Sequence, residues 1–344
     1  MRFYTLWISL FIILLNINMC FAKVINNNED KVLKPNSLKA GDCIGIVAPA
    51  SGIEDMDLTP AIEKLKSWGY KVKLSPHLFA QDGYLAGSDE IRAEDLNAMF
   101  GDEEVQAILI MRGGYGSNRI LHLLNYDLIA KNPKLLIGYS DITALHVALW
   151  KNCKLITIHG AMAIDINDYS PNYTDWQLKR GLASTAISDS GEFILPENYK
   201  IEVLNEGTAT GKIIGGNLSV IASLCGTPYE LDGTDCILFI EEVGEDSYAI
   251  DRMMWQLWEN GLLQKVKGII VGTLRRCEPI EPTAYDYSVR EVFDHYGKMA
   301  KVPVLYNFPV GHGSINGFLP LGVKATIVAD KNSPKLIISE PYAK

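Results

Sequence analysis

A serine that ends an apolar strand and opens an apolar-periodic helix is placed for nucleophilic chemistry. Such a serine stands in Ile137-Gly138-Tyr139-Ser140-Asp141-Ile142-Thr143, between a strand pattern over Lys134 to Tyr139 and a helix pattern over Ile142 to Trp150. The first backbone N–H groups of a helix lack intrahelical partners and carry the positive end of its dipole, so an oxyanion forming beside Ser140 is stabilised there. The pattern departs from the G-x-S-x-G elbow, because Ile142 rather than glycine occupies the second position after the serine. Capping of the helix by Ser140 is the competing reading, since serine is a favoured N-cap.

Three further groups complete a possible constellation. Arg112-Gly113-Gly114-Tyr115-Gly116-Ser117 follows an apolar strand, and its paired glycines permit positive φ and close approach of a backbone N–H to a ligand. The spacing matches neither G-x-G-x-x-G nor G-x-x-x-x-G-K-[ST], so an amide donated to an oxyanion fits better than a phosphate cradle. Glu241, Glu242 and Glu245 cluster at the end of the apolar run before a helix over Tyr248–Leu257. Solvated charges are favoured at such a helix start, while Glu241, next to the apolar run, is the one expected to be fixed and partly buried. Among the six histidines, His312 lies in Pro309-Val310-Gly311-His312-Gly313, where flanking glycines let the ring swing toward a neighbour. His159, at a strand end, is its rival as general base. Serine, carboxylate and histidine spread along a chain suffice for a triad, whose roles come from geometry rather than adjacency. An imidazole titrating near about 6.5 accepts the serine proton and returns it to a leaving amine.

These residues need a scaffold. Short apolar runs at Cys43–Ala48, Val72–Leu74, Val105–Met111, Leu135–Tyr139 and Leu155–Ile158 alternate with helical patterns near Leu58–Trp68, Asp89–Phe100, Ser117–Leu124 and Ile142–Trp150. Continuous apolar strands separated by helices predict a parallel sheet covered on both faces, with chemistry at its carboxyl ends, just after Ala48, Met111, Tyr139 and Ile158. A helix near Trp176–Leu182 follows, and the polar stretch Ser184 to Asn205 reads as an interdomain connection. A second segment from Gly207 carries strands at Gly211–Ile214, Cys236–Ile240 and Val266–Val271, a glycine turn at Gly215-Gly216, and helices over Leu218–Leu224, Tyr248–Leu257 and around Val289–Tyr296. Short strands near Val304, Ala325 and Leu336 complete it.

The domain reading is therefore a signal peptide at 1–22, a nucleophile-bearing α/β domain at 38–165, a connection at 166–206 and a second domain at 207–340. The signal reading rests on Arg2, the apolar run Leu6 to Leu15 and small residues at Cys20 and Ala22, with cleavage after Ala22 and a periplasmic destination. A lipid-modified Cys20 and a retained N-terminal anchor are the alternatives, and a cytoplasmic location follows if the signal reading fails. A net charge of −9 without a Lys/Arg cluster excludes nucleic acid as the main partner. No Cys/His spacing suits zinc, no metal or cofactor is implied, and Cys43, Cys153, Cys225, Cys236 and Cys277 read as core residues.

Six blocks then carry a resemblance: Arg112 to Arg119, Ile137 to His146, Gly215-Gly216-Asn217-Leu218-Ser219, Gly226-Thr227-Pro228-Tyr229, Ile250-Asp251-Arg252-Met253 and Gly311-His312-Gly313. In this order, between Lys39 and Leu336, they closely resemble the LD-carboxypeptidases, which include muramoyl-tetrapeptide carboxypeptidases and microcin self-immunity peptidases. The resemblance implies an α/β fold, with an N-terminal Rossmann-like parallel-sheet domain, a C-terminal mixed, β-rich domain and the active site between them, usually in a homodimer. It implies a serine peptidase whose Ser-Glu-His triad falls on Ser140, Glu241 and His312, with Glu242 the neighbouring alternative, and whose oxyanion hole falls on the backbone amides of Gly114 and Asp141. The implied substrate is a murein tetrapeptide or muropeptide, cut between the L-centre of meso-diaminopimelate and the terminal D-alanine. Another peptide or microcin-like amide, or a non-catalytic binding role, are the alternatives. Arg112 and Tyr115 are the candidate substrate-binding residues. Guanidinium forks suit a terminal carboxylate, and a surface salt bridge is the other reading of Arg112.

Overall fold

The structure is a computed structural model that describes residues 31–53, 56–184, 191–279 and 285–344; the expected signal peptide lies outside the described residues. The first half runs β1 (Cys43–Val47), α1 (Thr59–Ser67), β2 (Lys71–Leu74), α2 (Asp89–Gly101), β3 (Val105–Ile110), α3 (Tyr126–Lys131), β4 (Leu135–Gly138), α4 (Thr143–Cys153), β5 (Thr157–His159) and α5 (Asn172–Leu182). The second half runs β6 (Glu202–Asn205), β7 (Gly207–Asn217), α6 (Leu218–Ser223), β8 (Cys236–Val243), α7 (Ser247–Glu259), α8 (Leu262–Lys265), β9 (Gly268–Arg275), α9 (Val289–Ala300), β10 (Val304–Tyr306), β11 (Leu319–Leu321), β12 (Lys324–Ala329) and β13 (Lys335–Ile338).

Two sheets form. The first has the order β11-β5-β4-β3-β1-β2, in which β1 to β5 are mutually parallel and β11 pairs antiparallel with β5. Helices cover both faces, so β1 and β4 are buried along their whole length, and that is why they read as unbroken apolar runs. The second sheet, β13-β12-β7-β8-β9-β10-β6, is parallel from β7 to β10 and antiparallel at its flanks. Apolar packing is continuous between the halves, from Leu145 and Leu149 of α4 to Leu218 and Ile221 of α6. Each such buried leucine or isoleucine contributes about 1.5–3 kcal/mol.

Two sequence expectations are corrected, the turn at Gly215-Gly216 and the helix at Ser117–Leu124. Gly215-Gly216 is not a turn but the end of β7. A Cβ at Gly215 would lie 2.0 Å from the Phe239 carbonyl oxygen, and one at Gly216 would lie 2.4 Å from Thr143 Oγ1. The glycines thus let two backbones and the start of α4 approach closely, and Thr143 Oγ1 accepts the Asn217 N–H at 2.9 Å. The expected helix at Ser117–Leu124 is a 3-10 segment, Ser117–Leu123. Among the described residues of 166–206 are the expected helix, as α5, and the sheet strand β6, and Thr174 Oγ1 accepts the Asn316 N–H at 2.9 Å. Strand β11, from the C-terminal half, completes the N-terminal sheet, a crossing with no counterpart in the sequence reading.

Candidate active site

Strand β4 ends at Gly138, and the chain turns through Tyr139 into a 3-10 turn, Ser140–Ile142, that leads into α4. Ser140 has φ +64°, a left-handed conformation that costs a non-glycine residue of order 1–2 kcal/mol. The strain lifts its hydroxyl out of the turn. Ser140 Oγ lies 3.0 Å from His312 Nε2, so the side chain does not cap α4, whose N-cap is Ile142. Gly113 leaves room beside it: a Cβ there would sit 3.0 Å from Ser140 Cβ.

His312 Nδ1 lies 2.5 Å from Glu241 Oε2, and the His312 backbone N–H donates to the same oxygen at 3.2 Å. Ser140, His312 and Glu241 therefore form one hydrogen-bonded line. Glu241 ends the apolar part of β8 and is fully buried. Burial pushes its carboxyl up, yet the His159 and His312 rings outweigh this and hold it at about 2. Burial acts to lower His312, but the Glu241 hydrogen bond and charge prevail and raise it above its ordinary value. The Tyr139 ring meets His312 edge to face at 4.8 Å, and its hydroxyl donates to Asp165 at 3.3 Å, which restrains the imidazole plane.

The adjacent glutamate does something else. Glu242 Oε1 accepts from Asn217 Nδ2 at 2.9 Å and from the Val243 N–H at 2.7 Å, while Oε2 accepts from the Ser219 N–H at 2.8 Å. It ties β8 to the first turn of α6 and makes no hydrogen bond to the histidine. Glycine framing of His312 also has a different meaning from the expected mobility. Gly311 has φ +119°, and a Cβ there would lie 2.8 Å from Glu241 Oε2, so the glycine provides close approach.

Loop residues 112–117 lie alongside. Gly114 has φ +110° and packs on Ser51, whose Oγ accepts the Tyr115 N–H at 3.0 Å. The Asp141 side chain has a structural task that sequence reasoning missed. It accepts the Ser117 N–H at 2.8 Å, while Ser117 Oγ donates to the Asp141 carbonyl at 2.5 Å, fixing the glycine loop to the serine turn. Burial raises the Asp141 carboxyl, against the Ser117 bonds that lower it. Arg92 on α2 was missed as well. Fully buried, it donates to the carbonyls of Pro49 (2.5 Å), Gly116 (2.9 Å) and Gly87 (3.2 Å) and pairs with Asp89. Its sequence signal was a charge at a core position, on one helix face with Leu96 and Met99.

Arg112 borders the same loop. It donates through Nη1 to the Gly52 carbonyl at 3.4 Å and keeps a buried Nε without a partner, and among the described residues no carboxylate pairs with it. Tyr115 is half-exposed at the rim, edge-on to Tyr84 at 5.7 Å. The rival His159 is completely buried, and it faces Glu241 Oε1 at 3.8 Å rather than Ser140. All five described cysteines are free and four are buried. A cleft of about 880 Å³ lined by Trp150, Lys154, Lys212 and Cys236 lies at the amino ends of β7 and β8, whereas Glu241 lies near the carboxyl end of β8.

The LD-carboxypeptidase N-terminal domain pattern matches residues 44–160, and the C-terminal domain pattern matches residues 210–327. The chain is 39% identical to the probable murein peptide carboxypeptidase of Bacillus subtilis, over 86% of this chain and 91% of that protein. It is 32% identical to the murein tetrapeptide carboxypeptidase of Pseudomonas aeruginosa, over 84% of this chain and 94% of that one. Among solved structures, an MccF-like protein from Bacillus anthracis matches with a TM-score of 0.77 at 32% identity, over 89% of this chain and 99% of that chain. With both sheets spanned by these matches, the chain belongs to the LD-carboxypeptidase family and is a serine-type carboxypeptidase.

Proposed function

We propose that this chain removes the terminal D-alanine from murein tetrapeptide stems, cutting the amide between the L-centre of meso-diaminopimelate and D-alanine with a Ser140-His312-Glu241 triad. The hydrogen-bonded line of these three side chains carries the reading. His312 Nε2 takes the Ser140 proton as Oγ attacks the scissile carbonyl carbon, and the carbonyl electron pair moves onto oxygen. The backbone N–H groups of Gly114 and Asp141 receive that oxyanion. The imidazolium, held by the buried Glu241 anion, then protonates the departing nitrogen of D-alanine as the C–N bond breaks. Water, deprotonated by the same histidine, hydrolyses the acyl-serine. Arg112, which lacks a carboxylate partner among the described residues, receives the terminal carboxylate of the substrate, with Tyr115 at the rim.

The proposal extends to the export read from residues 1–22, which places the reaction on periplasmic muropeptides, and to a homodimer. The test is mass spectrometry of protein beginning at Lys23 incubated with disaccharide tetrapeptide, beside Ser140→Ala and His312→Ala. Loss of one alanine, abolished in both variants, supports the reading. An unchanged tetrapeptide in the presence of folded protein sinks the murein assignment, and cleavage of a microcin-type conjugate instead would move the substrate to that class.

A further inference from the structure

Behind the catalytic line, four buried polar atoms among the described residues lack a hydrogen-bond partner: Glu241 Oε1, both ring nitrogens of His159, and His146 Nδ1. One of the ring nitrogens, His159 Nε2, faces Glu241 Oε1. His159 and Glu241 side chains are both fully buried, and Nε2 stands 3.8 Å from Oε1, just beyond hydrogen-bond length. A carboxylate oxygen in a dry interior without a donor is strongly unfavourable. Glu241 cannot turn away to satisfy it. Oε2 is held by the ring and the backbone of His312, and Gly311 and Gly272 press on its side chain, where a Cβ would lie 2.8 Å and 3.2 Å from Glu241 Cβ. The His159 ring is confined too, edge-on to Phe239 at 4.9 Å and tilted against Tyr139 at 5.7 Å.

We propose that His159 is a positioning residue for the triad acid: its Nε2–H closes onto Glu241 Oε1, so that the carboxylate is gripped from both sides, by His312 on one oxygen and His159 on the other. This rests on the triad reading above. Burial lowers the affinity of His159 for a second proton, so the grip is a neutral N–H on an anion rather than a buried ion pair. The tautomer follows from its surroundings. His146 Nε2 donates to the Gly138 carbonyl at 2.9 Å, and the carboxylate of Glu241 is the anion that His159 faces. The other titratable groups around the pair are His312, Tyr139 with its partner Asp165, His146 on α4, Glu242 and Cys277. During acylation His312 becomes an imidazolium, and Glu241 must keep both its charge and its orientation at that moment. The donor on Oε1 secures both.

The test combines kinetics with histidine ¹⁵N NMR on the full chain. His159→Phe is expected to lower kcat about 10-fold to 100-fold with KM within about threefold. It should also move the acidic limb of kcat/KM upward by about half a pH unit to one unit, because a carboxylate stripped of a donor binds the shared proton more tightly. His159→Gln, which retains an N–H, should recover most of the loss. A packing role alone would move neither the limb nor the rescue. In the wild-type protein the His159 ring should be neutral and protonated on Nε2 at neutral pH, a readout that does not depend on any variant folding. A neutral ring protonated on Nδ1, or a folded Phe variant with the wild-type profile, overturns the proposal. If Ser140→Ala and His312→Ala remain active, it is the triad reading that fails instead.

Discussion

Glu241 and Glu242 are neighbours in sequence, both are buried, and only one touches the histidine, so paired substitutions separate chemistry from architecture. In Glu241→Gln the side-chain volume stays, but the group that His312 Nδ1 meets at 2.5 Å loses its charge. In the proposed mechanism the imidazolium formed during acylation is then unsupported, and an amide N–H turned toward Nδ1 selects the wrong tautomer. The equivalent loss in a serine triad is about 10⁴ in kcat, or about 5.5 kcal/mol, so a fall of about 10³ to 10⁴ is expected. In Glu242→Gln the remaining carbonyl oxygen can still accept from Asn217 Nδ2 and the Val243 N–H, while the new NH₂ confronts the Ser219 N–H. Losing one charge-assisted bond and setting donor against donor costs about 1–3 kcal/mol of stability. Relief of repulsion between two adjacent buried carboxylates offsets part of it. Activity per folded molecule should stay within about fivefold of wild type. Tetrapeptide turnover and urea denaturation on both variants read the two effects separately. An active Glu241→Gln, or a Glu242→Gln that is folded but loses about 10³ in kcat, would refute the assignment of the acid and the hydrogen-bond reasoning behind it.

In the proposed triad His312 acts as a neutral base and Glu241 raises its pKa, so kcat/KM should fall as pH drops through a midpoint above the ordinary value of about 6.5; an acidic limb at or below that value would contradict the pairing. Buried His146 is held down to about 3, so the unfolded chain binds a proton below about 6.5 that the folded chain refuses, and stability should fall from pH 6.5 toward 3, by about 2 kcal/mol at pH 5 from this residue alone. His159 acts in the same direction, whereas the raised His312 gains stability as pH falls to about 6.5 and adds nothing further below it. Urea midpoints at pH 7.5 and 5 check this, and the slope should flatten in His146→Gln. Arg92→Lys breaks the fork that joins the carbonyls of Pro49, Gly87 and Gly116, and should cost about 2–3 kcal/mol of stability and about tenfold in kcat/KM, measured by denaturation and turnover; unchanged kinetics would mean that the glycine loop holds its shape without it.

Much of the scaffold was legible because burial on both faces leaves a plain trace: β1 and β4 are continuous apolar runs, β3 is broken only by Gln106, and the serine two residues after β4 marks the sheet's carboxyl edge. Glu241 was legible for a related reason, as an acid appended to an apolar strand. What stayed hidden depends on contacts between distant segments. Arg92 looks like a surface residue of α2 until three loop carbonyls converge on it. Gly215 and Gly216 look like a turn until Phe239 and Thr143 are brought against them. Strand β11 is only three residues long and contains Pro320, which a sheet edge tolerates but a local pattern disguises.

That hidden strand bears directly on the chemistry. His312 is separated by 71 residues from Glu241 and by 172 from Ser140, so nothing local sets its distance to either. Its loop is held at three points. The Val310 carbonyl accepts the Thr273 N–H at 2.9 Å on the β9 side, Asn316 Oδ1 accepts the Gly311 N–H at 3.0 Å across the loop, and Leu319 pairs with His159 in the first sheet. The loop thus leaves one sheet and is tied to the other within ten residues. A serine on the first sheet and a glutamate on the second meet a common histidine because the chain bearing that histidine is anchored to both. The anchoring pair on the first sheet, Leu319 with His159, includes the imidazole that faces Glu241 from behind. Sheet closure and the proposed support of Glu241 therefore converge on one residue, and on that proposal substitutions in β11 that weaken the Leu319 pairing should act on turnover through His159 and His312 together.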